Sequence, residues 1–238
     1  PALHDINEPM STSPSPAAPT AAPFDEAAFE AFVASRDEPE WVSQRRREAF
    51  AAYNRLRNEP LDEEEWKRVE LRAFRPDTFA LQPAAEQSPA LETLMRDRAE
   101  FAGSVVHLDG HAIDETFDDD LAAQGVRFGD LTRLVREEPE LLEPHLLTRA
   151  VSPTTDRFSA WHSAFWTGGT VLYVPSGVEI TAPLYSLIGL AADGAADFSH
   201  TLVVLEDGAQ ATLLEETSSA DATSRGIHAG AVEFLLGR

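Results

Sequence analysis

The pattern of apolar and polar positions changes character at Gly169. Before this residue, apolar side chains recur at helical spacing, and two clear helices are predicted. The first carries a stripe with arginines on its opposite side, and the second ends at Gly168-Gly169. After Gly169 the helical period disappears, and Val, Ile, Leu and Thr with interspersed glycines predict β-structure up to Arg238. The apolar positions of the two helices are Val42, Ala49, Phe50, Tyr53 and Leu56, then Phe158, Trp161 and Phe165.

The β-part contains a repeat with an interval of 31 residues. "TVLYVPSGVEITAPL" begins at Thr170 and "TLVVLEDGAQATLL" begins at Thr201, so that Gly177 corresponds to Gly208 and Ala182 to Leu213. A fixed interval of this size indicates stacked units that share a core. We expect the units to stack in parallel as the coils of a β-helix, with a meander of antiparallel hairpins as the alternative. Because the last unit stops in mid-repeat, we also expect the chain to be a piece of a longer protein.

Four segments follow from composition and periodicity. Residues 1–23 are rich in Pro, Ala and Ser and predict a disordered tail. Residues 24–80 predict a helical segment, and residues 81–150 a small α/β unit in which "SVVHLDGHAI" forms a hairpin at an Asp-Gly turn. Residues 151–238 predict a helix that leads into the first coils of the β-helix.

Charge and cysteine content narrow the range of partners and chemistry. The 238 residues carry 19 basic and 41 acidic side chains, a net charge of −22, which repels phosphate backbones and anionic lipids. We therefore expect no nucleic-acid and no membrane partner. The chain has no cysteine, which excludes thiolate ligands, thiolate nucleophiles and disulfides within it and is compatible with a cytoplasmic location.

Three groups of polar residues are candidates for a metal-binding or catalytic site, and we predict that none of them forms one. His107 and His111 have a spacing that would suit metal on a helix, but Asp109-Gly110 between them indicates a turn with two surface histidines. The acidic residues of the β-part resemble the paired carboxylates of glycoside chemistry, but they occupy a corner and a polar loop on an acidic protein. They are Glu206, Asp207, Glu215 and Glu216.

The last group, Asp156, His162 and Ser163, fits no signature of a catalytic triad. Trp161 and Phe165 are predicted to lie in the core rather than on a binding surface. Gly168-Gly169 lacks the Lys-Ser/Thr of a phosphate-binding loop, so an ATPase site is not expected in this chain. We predict no catalytic, cofactor-binding or metal-binding residue.

Three stretches together resemble the SufB/SufD family of iron–sulfur cluster assembly proteins, and most closely its SufD branch. They are "EEEWKRVELRAF" from Glu63, "VVHLDGHAI" followed by "GVRFGDL", and "DRFSAWHSAFWTGGTVLYVPSGVEITAPL" from Asp156, which "HTLVVLEDGAQATLLEE" continues. The resemblance covers roughly residues 40 to 238. It implies a mostly β protein with N-terminal helices, in which a helical and small α/β region precedes the start of a right-handed parallel β-helix.

The resemblance also implies a function. Family members work as non-catalytic scaffold subunits, in which a SufD-like subunit pairs with a SufB-like subunit and a SufC-like ABC ATPase. The Fe–S cluster is then handled by the complex, and this chain binds no cofactor of its own; a homodimer is also allowed. The alternatives are a carbohydrate-active β-helix enzyme, for which Tyr185, Glu215 and Glu216 are weak hints, and a purely structural β-solenoid.

Overall fold

The structure is a computed structural model that describes residues 24–69, 71, 74–83, 101–219 and 222–238. The predicted disordered tail, residues 1–23, lies outside the described residues. The division of the chain into four segments stays a prediction. The described α-helices, which we number in chain order, are α1 (Glu26–Ala34), α2 (Glu40–Leu56), α3 (Glu63–Trp66), α4 (Asp119–Ala123), α5 (Leu131–Glu137), α6 (Pro139–Leu142) and α7 (Arg157–Phe165).

The described strands form two four-stranded sheets and one two-stranded sheet. The first sheet has the order β2-β1-β5-β8, the second β10-β7-β4-β3, and the third β6-β9. The strands are β1 (Gly103–Leu108), β2 (His111–Phe117), β3 (Arg127–Asp130), β4 (Thr170–Val174), β5 (Leu184–Leu190), β6 (Ala195–Asp197), β7 (His200–Leu205), β8 (Leu213–Ser219), β9 (Gly226–His228) and β10 (Ala231–Leu236).

The predicted β-helix is wrong, because the strands lie in open sheets of mixed direction. β2 pairs antiparallel with β1, and β3 pairs antiparallel with β4, whereas the remaining pairs are parallel. Strand β1, from the predicted small α/β unit, is inserted beside β5 of the repeat region. The fold class is therefore a set of mixed sheets with helices packed against them, and not a mostly β protein that leads into a solenoid.

The sequence repeat is visible as strand register. Val171 of β4 pairs with Leu202 of β7, and Thr201 of β7 pairs with Val232 of β10, each 31 residues further along the chain. In the other large sheet, however, Leu184 of β5 pairs with Leu213 of β8, an offset of 29 residues. Ala182 is therefore not the partner of Leu213, and the repeat interval does not extend through the whole unit.

The glycine turns of the repeat do lie next to one another. Gly177 and Gly208 both have φ +73°, and a Cβ on Gly208 would lie 3.9 Å from the Cα of Gly177. A positive φ of this kind favours glycine, which explains why both turns carry it. The two turns are thus equivalent corners of neighbouring parallel strands.

The Asp-Gly hairpin is confirmed. β1 and β2 are joined by Asp109 and Gly110, both with positive φ, as a two-residue turn of the I′ kind requires. All six residues of β1 are buried, because the strand lies between β2 and β5.

Helix ends also follow sequence signals. Asp130 caps α5 by accepting a hydrogen bond from the Arg133 N–H at 2.9 Å, and Pro139 separates α5 from α6. Asp156 caps α7 in a capping box with Ser159. Residues 160–165 of helix α7 are buried, and the helix packs against α2.

Two of the three apolar clusters among the described residues hold the layers together. One lies between the helices and the β4–β7 face of the second sheet, and it includes Trp161 and Phe165, as predicted. The other lies between the two large sheets and includes Val105, Phe128, Leu172, Leu184 and Val203. Within the described ranges, none of the helices combines the length and the apolar character that a membrane span needs.

Candidate interaction surface

Three strands lie at the edges of their sheets and come from the last part of the chain. β8 ends the first sheet, β10 ends the second, and β9 forms one side of the two-stranded sheet. An edge strand presents backbone N–H and C=O groups on one side that can pair with a further strand. We call β8 and β10 together the open edge.

The open edge also exposes apolar side chains. Phe234 and Leu236 of β10 are 60% and 67% exposed, and Leu214 of β8 and Val232 of β10 are exposed by almost half. Val232 and Phe234 line a cavity of about 510 Å³ together with Leu213 and residues of the inter-sheet core. An exposed group of apolar side chains beside an edge strand is the usual composition of an interaction surface, so the open edge is the candidate surface among the described residues.

The predicted carboxylates are separated rather than paired. Glu215 accepts a hydrogen bond from Thr201 between the two large sheets, whereas Glu216 on the other face of β8 accepts one from Tyr185 at 2.7 Å. Glu206 accepts a hydrogen bond from Tyr173 at 2.6 Å. Asp207 Oδ1 accepts one from the Arg238 N–H at 2.8 Å. The arrangement required for glycoside hydrolysis, two carboxylates facing one bond, is therefore not formed by these residues.

His107 and His111 lie on opposite sides of the hairpin turn. His107 is fully buried, with Nε2 3.2 Å from Asp130 Oδ1, and it is not the surface residue that the sequence predicted. His111 lies on β2 with Nε2 2.8 Å from the Gln82 carbonyl oxygen. The two imidazoles thus have separate partners. Among the residues that the structure describes, no group of His, Cys, Asp or Glu side chains is arranged to hold a metal ion.

Asp156, His162 and Ser163, the candidate triad, have three separate structural roles. Asp156 caps α7, and Ser163 is buried in the middle of the same helix. His162 instead points to β7, where its Nε2 lies 2.9 Å from His200 Nδ1.

A buried network of hydrogen-bonded histidines lies beneath the open edge, and the sequence analysis did not predict it. His162 of α7, His200 of β7 and Glu233 of β10 form a continuous chain of hydrogen bonds, with His200 Nε2 3.0 Å from Glu233 Oε2. His200 and Glu233 have no solvent exposure. The one sequence signal was Glu233, an acidic residue in the apolar run "AVEFLL".

The network ties β10 to the loop that follows α6. Glu233 accepts hydrogen bonds from the backbone N–H groups of Leu147 at 2.6 Å and Val151 at 3.0 Å. Burial alone would raise the pKa of Glu233, but the hydrogen bonds from His200 and from these two N–H groups lower it below its ordinary value. Glu233 is therefore an ionised anchor for the edge strand.

Burial and the neighbouring His200 lower the pKa of His162 to about 3. A second pair lies beside the network, where Nδ1 of the exposed His228 is 2.5 Å from Oδ2 of the buried Asp197. The polar side chains beneath the open edge thus form hydrogen bonds with one another. A buried polar network is stable only when its groups are paired in this way.

The fold and the surface define a class: a protein of mixed sheets whose last strands present an open, partly apolar edge. The sequence then places it in a family. A family model described as "SufBD protein N-terminal region" matches residues 29–185, and this chain belongs to that family.

Curated relatives agree with this assignment. The iron–sulfur cluster assembly protein SufB of Bacillus subtilis (strain 168) is 27% identical over 135 residues, which are 57% of this chain and 29% of that protein. SufBD family proteins of iron–sulfur cluster assembly from Staphylococcus saprophyticus and Staphylococcus haemolyticus are each 26% identical over 136 residues, with the same coverage. The match spans less than a third of the length of these relatives.

Proposed function

We propose that this chain acts in iron–sulfur cluster assembly as a non-catalytic, SufD-like scaffold subunit in the cytoplasm. It pairs with a SufB-like subunit and a SufC-like ATPase, and the Fe–S cluster is cargo of the complex rather than a cofactor held by this chain. The observation that carries the proposal is the family match over residues 29–185.

The choice of the SufD branch rests on chemistry. Thiolates are the usual protein ligands of Fe–S clusters, and all 238 residues lack cysteine. A chain without thiols supports a structural role beside a cluster-building subunit. The similarity to a relative named SufB does not weigh against this, because the family model covers both branches.

The open edge is the surface that best suits subunit pairing. Its backbone groups allow another strand to be added, and its exposed apolar side chains give that strand something to cover. We propose that its occupant is a second chain of the same family, which would add one of its own strands to the edge. The carbohydrate-active alternative loses support, since the described strands form open sheets instead of the β-helix it required and its carboxylates are separated.

Co-purification tests the proposal. The full-length protein is produced with SufB-like and SufC-like proteins of the same genome, captured by a tag and sized by gel filtration. We expect the three proteins to elute as one complex, and we expect the purified scaffold alone to hydrolyse no ATP. Elution of the folded scaffold without the other two proteins, or ATP hydrolysis by the scaffold alone, would contradict the proposal.

Introducing a charged side chain on edge strand β10 tests whether the interface lies there. We expect Phe234→Lys to weaken the complex at least about tenfold, because it places an ammonium group in an apolar contact. The matched control is Val69→Lys, since Val69 is also an exposed apolar residue, 50% accessible, and lies outside the sheets. Equal affinity of the Phe234→Lys variant and the wild type, measured by titration, would place the interface elsewhere.

A further inference from the structure

The hydrogen-bond chain beneath β10 determines which nitrogens carry protons. His162 Nδ1 lies 2.7 Å from the carbonyl oxygen of Ala229. A carbonyl oxygen can only accept, so Nδ1 of His162 must donate. His162 is neutral because burial and the neighbouring His200 hold its pKa far below its ordinary value, so its Nε2 is left as an acceptor.

The next link follows from the first. His162 Nε2 lies 2.9 Å from His200 Nδ1, and since Nε2 accepts, His200 Nδ1 must carry a proton. The other nitrogen, His200 Nε2, lies 3.0 Å from Glu233 Oε2. A neutral His200 would direct a lone pair at this carboxylate oxygen, which is repulsive.

The proton between His200 and Glu233 belongs on the histidine. Both oxygens of Glu233 already accept backbone hydrogen bonds, Oε2 from Leu147 and Oε1 from Val151. Hydrogen bonds of this kind stabilise the ionised carboxylate. An imidazolium at His200 then satisfies every donor and acceptor in the chain.

We infer that His200 is a buried imidazolium whose ion pair with Glu233 fastens edge strand β10 and so holds the open edge in the arrangement that docking needs. The link to subunit docking rests on the proposed function. The protonation state and its effect on β10 do not, and they can be tested without any partner.

Each helix or strand packed against the network contributes titratable or charged side chains to it. α7 contributes His162, β10 contributes Glu233, and β6 and β9 contribute Asp197 and His228, which act on His162. Arg45 of α2 acts on Glu233 from the helical layer.

Nuclear magnetic resonance tests the protonation state directly. The full-length protein is labelled with ¹⁵N-histidine, and the ring nitrogens are assigned with single-histidine variants. Near neutral pH we expect two protonated ring nitrogens for His200 and a neutral ring with a protonated Nδ1 for His162. A neutral ring at His200 would overturn the inference, and this outcome needs no variant of the network to fold.

Hydrogen exchange tests the fastening of β10. In Glu233→Gln we expect the amides of Ala231–Leu236 to exchange at least about tenfold faster than in the wild type, while those of β4 change little. The matched control is Glu216→Gln, which removes an edge-strand carboxylate that lies outside the network and bonds Tyr185. Unchanged β10 exchange in Glu233→Gln, or equally accelerated β10 exchange in Glu216→Gln, would refute the fastening role.

Titration of the SufB-like partner separates this inference from the proposed function. Weaker binding of Glu233→Gln together with faster β10 exchange would support both parts. Faster exchange with unchanged affinity would refute the link to docking and leave the complex itself intact. Absence of binding by the wild type would refute the proposed function alone.

Discussion

Arg46 lies in the middle of α2 without any solvent exposure, although the sequence pattern predicted the arginines of this helix on its exposed side. Its guanidinium forms two hydrogen bonds to Glu38, at 2.7 and 2.8 Å, and lies 3.9 Å from the centre of the Trp166 ring. The apolar periodicity of α2 predicts the same exposed position for Arg46 as for the other arginines, because the partners of Arg46 lie outside the helix. Only the packing of α2 on α7 shows which arginine is enclosed.

Removing Arg46 should destabilise the protein strongly. In Arg46→Met the buried carboxylate of Glu38 keeps only Arg36 as an ion-pair partner, and we expect a loss of about 3 kcal/mol in the free energy of unfolding. Chemical denaturation measures this loss. The matched control is Arg47→Met, since Arg47 is exposed and lies 3.9 Å from an exposed Glu40, and it should cost less than about 1 kcal/mol. Equal costs for the two variants would contradict the structural account of Arg46.

His162 should make the protein sensitive to acid. Its folded-state pKa is lowered to about 3 from an ordinary value of 6.5, so the unfolded chain binds a proton that the folded chain does not. The stability it contributes is complete above about pH 6.5 and is lost as the pH falls towards about 3.

In His162→Gln we therefore expect unfolding between these pH values to take up close to one proton less than in the wild type. Denaturation curves at several pH values measure this uptake. His111→Gln is the control, because His111 is partly exposed and bonds only a backbone carbonyl in the described structure. A His162→Gln variant with unchanged pH dependence would show that the group does not titrate on unfolding as we expect.

At the scale of elements, local signals predicted what local chemistry decides. The Asp-Gly hairpin and the burial of Trp161 and Phe165 were expected from residues a few positions apart, and the Asp130 cap and the helix end before Pro139 depend on equally local residues. The register between β4, β7 and β10 also follows from the sequence, because equivalent apolar residues align when parallel strands pair.

Glycines at strand ends show where backbone approaches backbone. A Cβ on Gly169, which has φ +137°, would lie 2.0 Å from the carbonyl oxygen of His200, whereas a Cβ on Gly177 would meet nothing within 4 Å. The start of β4 is therefore in direct contact with the start of β7, and the Gly177 turn is open.

We expect Gly169→Ala to cost clearly more stability than Gly177→Ala. The Gly177 variant suffers only the strain of a positive φ, about 1–2 kcal/mol, while the Gly169 variant must also separate two strands. Thermal or chemical unfolding compares them. A Gly177→Ala variant at least as destabilised as Gly169→Ala would contradict the close contact between β4 and β7.

At the scale of the whole molecule, the sequence did not predict how the strands combine into sheets. The solenoid expectation required each repeat unit to pair only with its neighbours, but β1 pairs with β5 and β3 with β4, across long stretches of chain. Strands β1 and β3 come from outside the repeat and pair with edges of the strands β5 and β4. The pattern of residues within the repeat therefore cannot predict this pairing. The histidine network was missed for the same reason, since His162, His200 and Glu233 come from three separate elements.

The central claim is that the strands β8 and β10 form the surface on which this SufB/SufD-family chain pairs with a related subunit. The most direct test is hydrogen exchange on the full-length protein, free and in complex with the SufB-like and SufC-like proteins that we propose as partners. We predict that the amides of Leu213–Ser219 and Ala231–Leu236 become protected in the complex, while those of the β2 edge, His111–Phe117, do not. A complex that forms without protection of β8 and β10 would contradict the claim.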